Sequence, residues 1–327
     1  MVLYRHWQRR NKKPENAEIY KIFTGVMMSG NKRKGPFLLL LTALIWGCAF
    51  VAQSAGMDYV GPFTYQATRT LLGALVLVIT IKITDSKKKR NGTYEKLPAE
   101  EYKRLIKYGM LCGAVLFTAS ALQQNGIMYT TVGKAGFITA LYILFVPIIG
   151  IFLKRKMPVK KWICVAVAVV GLFFLCMNER LAFGQGDILV LLCSVAFSVH
   201  ILIIDRFAPE FDGIRLSCVQ FITSGVISLI IMFIFEKPQI SAISAAWLPI
   251  VYGGALSVGV GYTLQILGQK DTPPALASLL MSFESVFAVI FGIILLKQVP
   301  TAREIFGCVL MFIAIVAAQM MPDEEEV

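Results

Sequence analysis

Residues 122–158 read LQQNGIMYTTVGKAGFITALYILFVPIIGIFLKRKMP, and residues 264–300 read LQILGQKDTPPALASLLMSFESVFAVIFGIILLKQVP. Laid over one another without gaps, they agree at 11 of 37 positions. Apolar matches such as Phe145/Phe287 and Ile148/Ile290 are cheap in a greasy chain. Gln123/Gln265, Gly126/Gly268, Thr130/Thr272, Gly150/Gly292 and Pro158/Pro300 in one register are not. The two stretches are copies of one structural unit.

The rest of the chain says what kind of unit it is. Of 327 residues, 57% are hydrophobic, and mean hydropathy is +0.68. Soluble domains are about 45–50% apolar, and a run of about 20 apolar residues spans a bilayer as a helix. Ten such runs are expected, near 36–55, 62–83, 105–125, 132–153, 160–178, 187–205, 215–235, 246–267, 275–296 and 303–321. Backbone groups in lipid must bond within their own segment, so runs of this length are helices. The repeat places spans three to five over spans eight to ten. Two halves of five spans each, an odd number, must enter the membrane in opposite senses, as in secondary transporters whose substrate sits where the halves meet. The expected fold is an all-α polytopic membrane protein: ten transmembrane helices as two inverted-topology five-helix repeats, 36–178 and 187–321, around a central cavity.

Charge supplies the orientation. With the N-terminus inside, cytoplasmic segments hold 26 of the 32 Lys and Arg residues, which places both ends in the cytoplasm of a plasma-membrane protein. The net charge of +12 is thereby explained without a nucleic-acid partner. Residues 1–35 are basic and do not resemble a cleavable signal. Either the native start is Met27 or Met28, or the segment is a tail drawn to anionic lipid. Residues 322–327 form an acidic tail. All seven cysteines lie in apolar segments without metal-ligand spacing, so buried free thiols are expected, with no metal and no cofactor.

Three further stretches carry a family resemblance. LLTALIWGCAF (40–50), QQNGIMYTTVGKAGFITALYILFVPIIG (123–150) and ASLLMSFESVFAVIFGIILLKQ (277–298) resemble the first, third-to-fourth and ninth helix regions of the EamA family, in the drug/metabolite transporter superfamily. The resemblance covers about 36–321. It implies alternating access between the halves and a small-metabolite substrate, often exported: amino acids, their derivatives, nucleotides or sugars. The chain departs from the family in having Lys154-Arg155-Lys156 and Lys297-Gln298 where many members have Gly-Glu, and Ser285 where many have Pro.

Polar groups within spans are candidates for the substrate path, because each is costly to insert. Glu284 lies ten residues into its span, about 15 Å deep; it can pair with a substrate ammonium, carry a proton, or brace two helices. Its repeat mate is Tyr142. Arg69 shares a helical face with Gln66, Thr70 and Gly73; it suits a substrate carboxylate or phosphate, or an ion pair or snorkelling contact near the outer interface. Lys134 suits an anion at the outer mouth or a plain interfacial role. His200 suits a proton relay or a hydrogen bond between helices. Gln123, Gln124 and Gln265 suit amide recognition or helix ends. Trp46 and Tyr262 suit a cavity wall.

The expected function is a secondary transporter exporting small metabolites, with proton coupling through Glu284 or His200 as an open option. No phosphate-binding loop is present to drive it with ATP. An intramembrane enzyme is the alternative, but the chain has neither HExxH nor GxSxG, and no aspartate sits mid-span. A sensor or scaffold is the third reading, disfavoured by the lack of extramembrane domains. Oligomeric state is not specified by the sequence.

Overall fold

Apolar runs bounded by Gly, Pro and charged residues fold as expected into helices. The computed structural model describes residues 34–130, 132–155, 157–176, 184–296 and 301–320. The basic N-terminal segment and the acidic tail lie outside these residues. Ten spans result: α1 (Lys34–Met57), α2 (Pro62–Arg90), α3 (Ala99–Ile127), α4 (Val132–Ala140 then Tyr142–Phe152), α5 (Val159–Cys176), α6 (Gln185–Phe207), α7 (Gly213–Phe235), α8 (Trp247–Gln269), α9 (Pro274–Met281 then Glu284–Leu296) and α10 (Ala302–Met320). A short helix, Ile240–Ala245, leads into α8. Among the described residues, seven helices are long and apolar enough by themselves to cross a membrane, and Ile138–Phe152 and Ile305–Ala318 are shorter apolar helices. No strand occurs among the described residues.

Helix ends follow capping chemistry. Pro62 and Pro274 open α2 and α9, where a missing N–H costs nothing. Asp212 caps α7 by accepting from Ile214 N and Arg215 N, both at 3.0 Å. The start of α2 is capped from another helix. Glu236, just past α7, accepts from Phe63 N and Thr64 N at 2.8 Å each and from the Thr64 hydroxyl. At the other end of the same helix pair, Arg215 donates to both oxygens of Asp85, at 2.6 and 2.7 Å. α2 and α7 are thus clamped together at both membrane faces.

Three spans differ from the uniform helices expected. α4 breaks at Leu141 and α9 breaks at Ser282–Phe283, at equivalent points of the two halves. At each break the backbone tightens to i−3 bonding, Leu141 N to Ile138 O at 3.2 Å and Phe283 N to Leu280 O at 3.3 Å. Pro147, just beyond the α4 break, removes one further donor. The middle of α8, Tyr252–Tyr262, is wound as a π-helix, a form found mostly at functional sites. The sequence stretch YGGALSVGVGY reads as small-residue packing, which it also provides.

The helix pairings come in matched sets. α2 packs on α7, α5 on α10 and α4 on α9, each pair joining equivalent helices of the two halves. The contact of α3 with α7 is mirrored by that of α8 with α2. α3 also packs on α6, mirrored by α8 on α1 through the repeat glycines. A Cβ at Gly126 would stand 2.5 Å from Val190, and one at Gly268 would stand 2.8 Å from Leu39. Both crossings therefore require glycine for close approach. The fold is two inverted five-helix repeats packed face to face. Exposed Leu75, Ile79, Ile230, Phe233 and Phe312 form part of the apolar exterior that meets lipid. Cys112, Cys164, Cys193 and Cys218 are buried free thiols.

Candidate functional site

A narrow cavity lies between the halves and takes side chains from α1, α2, α3, α4, α6, α8 and α9. Seven of the residues singled out in the sequence line it: Glu284, Tyr142, Arg69, Gln123, Gln265, Trp46 and Tyr262. The two helix breaks explain why the first two meet. Tyr142 and Glu284 each follow a break, and the Tyr142 hydroxyl donates to Glu284 Oε1 at 3.0 Å across the interface of the halves.

Arg69 is only 4% exposed, well inside the protein rather than at an outer interface. Its Nε and Nη2 both donate to Gln66 Oε1, at 3.1 and 2.6 Å, one turn back on α2. The guanidinium carbon lies 5.2 Å from the centre of the Tyr65 ring, a cation–π contact that holds the side chain from below. Glu284 is 3% exposed. Among the described residues neither Arg69 nor Glu284 has an oppositely charged partner within 4.0 Å. A buried charge is expensive unless paired and hydrogen-bonded. One wall of this cavity therefore presents a guanidinium, and another a carboxyl, neither with an ion-pair partner among the described residues.

The remaining wall is amphipathic. Trp46 Nε1 donates to Ser257 O at 3.3 Å, tying α1 to the π-wound part of α8, and its ring lies 4.6 Å from that of Tyr262. Gln123 Nε2 donates to Thr139 Oγ1 at 3.3 Å. Gln53 Oε1 and Gln265 Oε1 are buried without a partner.

Two sequence candidates stand elsewhere. His200 is fully buried behind the wall, with Nε2 3.1 Å from Gln220 Oε1 and its ring edge-on to Tyr262 at 6.2 Å. Gln124 turns away from the cavity and donates to Gln53 O at 3.4 Å. The side chain of Lys134 lies outside the described residues. Conversely, the cavity uses Gln53, Thr139, Phe197, Ile201, Ser257 and Met281, which the sequence reading passed over. Symmetry carried a signal for some of them. Thr139 and Met281 are repeat mates, and Trp46 with Phe50 on α1 are spaced as Phe197 with Ile201 on α6.

The model of the EamA-like transporter family matches the chain twice, over residues 33–177 and 184–318. The chain belongs to that family. It is 26% identical over 283 residues to an uncharacterised transporter of Archaeoglobus fulgidus, covering 86% of this chain and 84% of that one. The uncharacterised transporter YoaV of Bacillus subtilis is 24% identical over 280 residues, 84% of this chain and 92% of its own length. The threonine/homoserine exporter RhtA of Salmonella typhimurium is 27% identical over 314 residues, 90% of this chain and 94% of its own length. A solved crystal structure shares the fold with a TM-score of 0.70 at 17% identity, covering 88% of this chain and 96% of that one. This EamA-family protein is a multi-pass membrane transporter of small molecules.

Proposed function

We propose that this EamA-family protein is a secondary transporter that exports small zwitterionic metabolites, amino acids or close relatives, across the plasma membrane by alternating access. The observation that carries the reading is the pair of buried ionisable groups on one cavity, Arg69 and Glu284, without ion-pair partners among the described residues. Arg69 takes the substrate carboxylate, and Glu284 takes the ammonium. Charge-assisted bonds of this kind are about twice as strong as neutral ones, and a zwitterion satisfies both groups at once while carrying no net charge into the membrane. The similarity to RhtA, named for exporting threonine and homoserine, supports the same substrate class and the outward direction.

Tyr142 is the internal stand-in for the ammonium. Its hydroxyl donates to Glu284 Oε1, and it yields when an ammonium arrives. A carboxyl that is bared and recovered in each cycle is also suited to carrying a proton, so Glu284 is the coupling group of this proposal. His200, screened from the cavity by Tyr262, braces α6 against α7. The distribution of Lys and Arg puts both termini in the cytoplasm.

The experiment is transport of labelled amino acids in proteoliposomes. Wild type should accumulate substrate in response to a pH gradient. Glu284→Gln should lose that response, and Arg69→Gln should lose substrate affinity. Transport indifferent to the gradient in wild type would end the coupling claim, and full transport by both variants would end the site assignment.

A further inference from the structure

The two halves place a glutamine at the same point of the cavity, but only one of the two has a partner. On the α3 side, Gln123 Nε2 donates to the hydroxyl of Thr139 at 3.3 Å. The repeat mates of these residues are Gln265 and Met281, and both line the cavity. A thioether is at best a weak acceptor and donates nothing. Gln265 is 1% exposed, and its Oε1 is buried without a hydrogen-bond partner. Native proteins seldom leave such an atom unsatisfied. Where one half has a threonine hydroxyl beside its glutamine, the other has a methionine that offers Gln265 no donor.

The free amide sits in a definite place. Gly253 and Gly254 of α8 pack against Arg69. The carbonyl of Ser257, one turn further, receives Trp46 Nε1, next to Gly47, which packs against the backbone of Glu284. Gln265 comes about two turns beyond that, near Ile201, whose carbonyl binds Gln269 on the same helix at 3.1 Å. Arg69, Glu284 and Gln265 thus line one cavity. Phe197, Ile201 and Met281 supply apolar surface to the same cavity.

We propose that Gln265 determines side-chain specificity: it selects zwitterions whose side chain ends in a neutral hydrogen-bonding group, a hydroxyl or an amide, over apolar counterparts of the same shape. This rests on the assignment of Arg69 and Glu284 to the two charges of the substrate. An amide both donates and accepts, so it serves hydroxyls and amides alike. The apolar surround disfavours a second charge. An apolar side chain would leave the amide unsatisfied in the bound state, and a site built around such a bond discriminates strongly against the analogue lacking it.

The test is competition for transport in proteoliposomes, with serine against alanine and asparagine against leucine. In wild type the polar member of each pair should compete at a concentration about tenfold lower. Two variants act on the amide from opposite sides. Gln265→Met removes it, and Met281→Thr supplies the partner that Gln123 already has. Each should bring the polar-to-apolar ratio to within about threefold of unity while the apolar member still competes. Met281→Thr keeps the glutamine, so loss of selectivity there cannot be laid to a damaged α8. A wild type without preference, or variants that keep it, would overturn the proposal while leaving the charge assignment standing. A wild type that takes none of the four amino acids would bring down the charge assignment and this proposal together.

Discussion

At the residue scale, Glu284 and Arg69 were visible because a charge in an apolar run is conspicuous. What each charge faces was not visible. A sequence gives depth along a helix, and depth fits an outer-interface arginine as well as a cavity arginine. Burial of Arg69 in the cavity lining, over Gln66 and Tyr65, puts it on the cavity. Thr139 and Met281 carry no such mark, since hydroxyl and thioether side chains are ordinary in membrane helices. Their importance shows only when the two halves are superposed. The Tyr142–Glu284 bond yields a prediction at this scale. Tyr142→Phe should lower stability by about 1–3 kcal/mol, because it strips a buried carboxyl of its donor. The loss should shrink when Glu284→Gln is already present, as coupled neighbours are non-additive. Thermal unfolding of the four proteins in detergent measures this, and equal losses in both backgrounds would show that the bond is energetically idle.

At the element scale, ten apolar runs fixed ten spans, and the helix ends fell within a turn or two of expectation. The main exceptions are α2 and α3, which run on at the basic side, to Arg90 and from Ala99. Charged residues there are good helix formers even though they cannot enter lipid. The breaks at Leu141 and Ser282–Phe283 were illegible, because neither carries a glycine or proline and apolar continuity hides a local change of winding. The π-helix of α8 was hidden for the same reason: its glycines suit close packing as well as altered winding. Two predictions belong here. Glu236→Ala removes the cap of α2 and should cost about 0.5–2 kcal/mol, read as a lower unfolding temperature. Gly268→Leu drives a side chain into Leu39 and the backbone of Gly35, and should destabilise by about 1–3 kcal/mol or more. Its mate Gly126→Leu should behave alike, since the same crossing recurs between α3 and α6. An unaffected melting temperature in either variant would mean that these crossings are looser than the geometry states.

At the scale of the whole molecule, the repeat within the sequence carried the architecture. Matched contacts, α3 with α7 and α8 with α2, are what two inverted copies of one unit produce, and they leave the cavity where the copies meet. The departures from symmetry are where the proposed function concentrates. Tyr142 faces Glu284, Met281 stands where the other half has Thr139, and the π-wound part of α8 corresponds to a regular stretch of α3. In the proposed cycle the two halves exchange conformations around this centre while Arg69 and Glu284 hold the substrate, and release it once the site faces the other side. The central claim is that a zwitterion is held by these two residues together. The direct test is the affinity of purified protein for one transported amino acid, its N-acetylated form and its methyl ester, in wild type, Arg69→Gln and Glu284→Gln. The account predicts that wild type binds the free amino acid at least tenfold more tightly than either blocked form. Arg69→Gln should cease to distinguish the ester, and Glu284→Gln should cease to distinguish the acetylated form. Undiminished discrimination against both blocked forms in both variants would contradict it.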